Sequence, residues 1–142
     1  MYGAGNGTNR YLETAVETAS PVRLVVMLYD GAIRFLNEAK QAIQNRDFET
    51  QNLKFQRAQR ILAELISSLD FDKGGEIAEN LFRLYTYMYN QLVEANLQDS
   101  IERTEHVIHL LSELREAWDT IANQSEVPVP TPAPTVRLSL NG

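Results

Sequence analysis

A chain of 142 residues with a formal net charge of −6, 44% apolar residues and no cysteine is long enough for one domain with a single buried core. Without thiols it can form no disulfide, thiolate nucleophile or cysteine metal site, which fits a reducing compartment, and a cytoplasmic protein is expected. Neither nucleic-acid binding nor membrane insertion is expected. The 13 basic residues are scattered among 19 acidic ones, and the longest apolar run, 24–29, is far short of a bilayer span.

In chain order, residues 1–19 read as a flexible N-terminal arm, glycine- and asparagine-rich at first and then carrying Tyr11, Leu12, Ala15 and Val16. Ser20-Pro21 starts the first helix, 21–45. The serine oxygen accepts from a free first-turn N–H, and proline at the first helical position has no N–H to leave unpaired. Asp47 caps a second helix over 48–69, with Ala58, Ile61, Leu62, Leu65 and Leu69 on its core face. Gly74-Gly75 break the chain before a third helix over 76–95, with Ile77, Leu81, Leu84 and Met88 inward. Asp99 and Glu102 have capping-box spacing for a fourth helix, 100–123, which buries Val107, Leu111, Leu114, Trp118 and Ile121. From residue 124 the alternating Pro128, Pro130, Pro132 and Pro134 cannot continue a helix, so 124–142 reads as a disordered proline-rich tail. The expected fold is all-α: an antiparallel four-helix bundle over 20–123, joined by short loops.

Two of these helices have more apolar surface than one core stripe uses. At about 100° per residue, Leu24, Leu28, Ala32, Phe35, Leu36, Ala39 and Ile43 form the expected inner face of the first helix. Val22, Val26, Tyr29 and Ile33 form a second stripe roughly 100° away. The third helix repeats the pattern, with Ala78, Phe82, Tyr85 and Tyr89 set apart from its inner face. Either the arm and a wider bundle core cover these faces, or a partner does. Tyrosine suits a surface that is alternately bare and occupied, because a large apolar ring carries a hydroxyl that tolerates water.

Asp30-Gly31 interrupts an otherwise strong helix, and a close helix crossing is the physical reason for glycine there. Glu102, Glu105, His106, His109 and Glu113 crowd the fourth helix, yet the two histidines fall roughly 120° and 180° from its core stripe and face solvent. No Glu-x-x-His pair of the kind a di-iron bundle needs on two helices is present, so no metal site is expected. Nor is a catalytic residue or a cofactor, since no glycine-rich phosphate loop precedes a helix.

The run TASPVRLVVMLYDGAIRFL with upstream Tyr11, Thr14 and Val16, then GGEIAENLFRLYTYMYNQLVEAN and HLLSELREAW, closely resembles the FliS family of flagellin export chaperones over residues 11–121. The resemblance implies a cytosolic protein that binds the disordered C-terminal segment of flagellin, prevents its premature polymerisation and delivers it to the flagellar type III export gate. On that reading the client contacts Val22, Val26, Tyr29 and Ile33 on the first helix and Phe82, Tyr85 and Tyr89 on the third. Tyr11, Leu12 and Val16 cover part of this surface until the client arrives. The free protein is expected to be a monomer or weak dimer. The alternative is a self-associating bundle whose second stripes form a homodimer interface.

Overall fold

The computed structural model describes residues 20–125, which form four helices: α1, Pro21–Gln44; α2, Phe48–Ser67; α3, Phe71–Gln98; and α4, Ile101–Ser125. The sequence readings for the arm and the tail, including Tyr11, Leu12 and Val16, lie outside the described residues. Each helix begins on a side-chain cap. Ser20 Oγ accepts from Arg23 N at 3.1 Å, Asp47 Oδ1 from Thr50 N at 3.2 Å, Asp70 Oδ1 from Lys73 N at 3.0 Å and Ser100 Oγ from Arg103 N at 3.0 Å. The fourth cap corrects the sequence expectation. Asp99 takes a left-handed conformation at φ 52° that closes α3, and the serine after it starts α4.

The first turn of α3 forms before Gly74-Gly75, because Asp70 caps it. The break then falls at Gly75, whose φ of 52° and ψ of −127° are open to glycine almost alone. Short connections at 45–47, 68–70 and 99–100 make sequential helices antiparallel neighbours. Cross-helix contacts fix the directions: Glu38 meets Lys54, Gln51 meets Asn96, Gln91 meets Arg103, and Arg23 meets Asp119. Thus α1 packs on α2 and α4, α3 packs on the same two, and α1 and α3 face each other across the diagonal.

That arrangement decides how wide a face each helix buries. The core of α1 is Val22, Val25, Val26, Tyr29, Ala32, Leu36, Ala39 and Ala42, centred between the two stripes seen in the sequence. Val22, Val26 and Tyr29 are therefore core, not surplus. Leu28, Phe35 and Ile43, assigned to the core, are half-buried at its edge, and Leu24, also assigned to it, is half-buried. In α3 the core turns the same way, onto Ala78, Leu81, Tyr85, Met88 and Leu92, and leaves Ile77 exposed. A helix with two neighbours and a diagonal partner is covered over a wider sector than one stripe spans.

Gly31 sits where α1 crosses α2, and a Cβ built on it would lie 3.3 Å from Ile61 Cδ1. Ion pairs line the opposite seam, between α1 and α4: Asp30 with Arg115 at 2.8 Å, Arg23 with Asp119 at 2.7 Å and Lys40 with Glu105 at 3.1 Å. Asp30 holds the Arg115 guanidinium above its usual pKa. At the far end of the bundle the buried Gln51 Nε2 donates to Asn96 O, Asn96 Oδ1 and Asp99 Oδ1, tying the start of α2 to the end of α3.

Candidate partner-binding face

The sequence-predicted contact residues separate into three groups. Val22, Val26, Tyr29 and Tyr85 are buried, so they form no bare stripe in the free chain. Tyr29 and Tyr85 meet across the α1–α3 diagonal with ring centroids 6.5 Å apart and their hydroxyls hydrogen-bonded to each other. Burial pushes the Tyr29 phenol well above its ordinary pKa, with Tyr85 adding to the rise and the Trp118 side chain opposing it. Burial likewise pushes Tyr85 up to about 12, against the opposing effect of its hydrogen bond with Tyr29. Ile33 and Tyr89 are half-buried at the core edge, and among the described residues of this set Phe82 alone is open to solvent.

Exposed apolar surface does exist, on other helices than expected. Among the described residues every large apolar side chain classed as exposed lies on α2 or α3: Phe48, Leu53, Phe71, Ile77, Phe82, Tyr87 and Leu97. None lies on α1 or α4. Phe71 and Phe82 stand edge to face with centroids 6.0 Å apart at the end of the bundle where α2 turns into α3. Phe82 and Tyr89, two turns apart, share the flank of α3 from which Asn96 reaches Asn52 on α2. This flank therefore runs along the α2–α3 seam, bounded by the Phe71–Phe82 pair at one end and the Gln51–Asn96–Asp99 cluster at the other.

Phe71 was missed because it precedes the glycine pair and reads as a loop residue. Only the Asp70 cap, a standard N-terminal signal, could have placed it on a helix.

The histidines have surface partners. Tyr87 Oη and His106 Nε2 lie 3.0 Å apart with the rings edge to face, and His109 Nε2 is 3.4 Å from Glu113 on the next turn. No group of three or more histidine, aspartate or glutamate side chains converges among the described residues. Among those residues, too, no helix is long and apolar enough to cross a membrane.

Fold and face together define a four-helix bundle that carries its bare aromatic surface on one pair of neighbouring helices. The family described as flagellar protein FliS matches residues 4–125. The flagellar secretion chaperone FliS of Campylobacter jejuni is 40% identical over 119 residues, covering 84% of this chain and 93% of its own. Its counterpart in Salmonella typhimurium is 40% identical over 112 residues, 78% and 83% of the two chains. That of Bacillus subtilis is 36% identical over 121 residues, 85% and 89%. The chain belongs to the FliS family, whose relatives named here are chaperones of flagellar secretion.

Proposed function

We propose that the protein is a cytosolic export chaperone that binds the C-terminal segment of flagellin, prevents premature polymerisation and hands the client to the flagellar type III export gate. The observation that carries this reading is the confinement of large exposed apolar side chains to α2 and α3. An amphipathic client helix laid along the α2–α3 seam would cover Phe82 and Tyr89, the helix-in-groove mode of recognition. Each half-exposed aromatic hidden in this way contributes about 2 kcal/mol. Several must be covered, because ordering a flexible segment costs roughly 2 to 5 kcal/mol or more.

Within this proposal Phe82 and Tyr89 contact the client, whereas Ile33, one turn from Asp30 and two from Lys40 on the flank of α1 that faces α4, lies away from the seam. Val22, Val26, Tyr29 and Tyr85 act through the core beneath them, and Tyr11, Leu12 and Val16 compete for the seam. The chemistry is non-covalent, and the protein works as a binding module rather than an enzyme.

Calorimetric titration with full-length flagellin and with flagellin lacking its C-terminal segment tests partner and mode together. A one-to-one complex with the full-length client alone is expected. Equal binding of both forms overturns the mechanism.

A further inference from the structure

We propose that the α1–α2 face centred on Phe35 is a second docking surface, on the opposite flank of α2 from the client seam, and that its partner is an acidic polypeptide segment. Phe35 is half-buried at the edge of α1. Three cations surround its ring: Arg34 Cζ lies 4.9 Å from the centroid, Lys54 Nζ 5.6 Å and Arg57 Cζ 5.7 Å. In a chain of net charge −6 this concentration is the reverse of the whole, and it corrects the sequence reading of scattered basic residues.

The cations are mostly unmatched. Glu38 pairs with Lys54 at 2.9 Å, whereas Arg34 and Arg57 make no ion pair among the described residues. Along the α1–α4 seam, by contrast, Arg115 and Lys40 each meet a carboxylate. The imbalance continues on α2, where residues 50–63 contain Lys54, Arg57 and Arg60 and no acid. Leu53, 43% exposed, lies one turn before Arg57 and two before Arg60 on the same outward face.

The chemistry of the face selects the partner. A guanidinium stacked on an aromatic ring keeps its N–H fork free at the edge, where it matches a carboxylate in bidentate geometry. Phe35 among the cations, with Leu53 one turn from Arg57, fits an apolar side chain set among acidic ones. A nucleic acid fits worse, because its affinity depends on many phosphate contacts at once and the acidic molecule as a whole repels a long polyanion.

The test is fluorescence anisotropy of the full chain with a labelled peptide, Glu-Asp-Glu-Leu-Phe-Glu-Asp-Glu, and with its Gln and Asn counterpart. The acidic peptide should bind, more weakly as salt is raised, and the neutral one should not. The double variant Arg34→Glu, Arg57→Glu should weaken binding about tenfold or more, while Arg83→Glu on α3 should leave it unchanged. Should charge reversal disturb folding by circular dichroism, Arg34→Gln with Arg57→Gln replaces it and should weaken binding in the same direction. The proposal is overturned if both peptides bind alike, if the folded double variant binds as the parent does, or if a single-stranded oligonucleotide of equal charge binds more tightly than the acidic peptide.

Discussion

Tyr29 and Tyr85 show how a residue's chemistry can point one way and its position another. A tyrosine on a helix with apolar surplus suits an intermittent interface, yet here two such tyrosines satisfy each other's hydroxyls inside the core. Truncation should therefore be felt as lost stability. Tyr29→Ala should cost about 3 to 5 kcal/mol in denaturant unfolding, and a loss below about 1 kcal/mol would place the ring outside the core. The same pair predicts an alkaline transition. Burial raises both phenol pKa values in the folded state above the unfolded value near 10, so the native state favours the neutral phenols. Their contribution is complete below about pH 10 and is lost as pH rises from there through about 12, the value for Tyr85. Unfolding midpoints measured across this range should be flat to about pH 9.5 and then fall. Tyr85→Phe should flatten the fall, and an unchanged slope would assign it to other groups.

Local signals read element by element were legible wherever the chemistry is short-range. The Ser20 and Asp47 caps, the break at Gly74-Gly75 and the crossing at Gly31 depend on a few neighbouring residues or on the absence of a side chain, and all are found where the sequence puts them. The inner faces of α1 and α3 were not legible in this way, because the width of a buried sector depends on how many helices surround it. Ile77 and Tyr85, eight residues apart on α3, exchanged roles for that reason.

Gly31 and Gly75 should respond oppositely to alanine. Gly31→Ala gains up to about 1 kcal/mol of helix propensity, and the tip of Ile61 that it meets at 3.3 Å is flexible enough to move by a few tenths of an ångström. Thermal unfolding should show neutral to slightly raised stability. Gly75→Ala has open space around it but would have to hold φ at 52°, and a loss of about 1 to 3 kcal/mol is expected. Equal effects at the two positions would refute the distinction between space and backbone conformation.

At the scale of the whole molecule, the bundle separates its tasks by helix pair. The diagonal between α1 and α3 is filled by the tyrosine pair, the α1–α4 seam is held by matched charges, and surplus apolar surface is left to α2 and α3. That separation makes binding and folding independently measurable. Phe82→Ala removes a ring already 42% exposed and should change unfolding free energy by less than about 1 kcal/mol. Combined with Tyr89→Ala it should weaken binding of the flagellin C-terminal segment roughly 10- to 100-fold, because centrally placed aromatics dominate such interfaces. Light scattering on the same variants addresses self-association through this face. If the parent chain is a tight dimer that flagellin cannot dissociate, and the double variant is a monomer, the seam is a contact between copies. If the parent is a monomer that forms a one-to-one complex and the double variant is a monomer that does not, the exposed aromatics of α2 and α3 belong to the client.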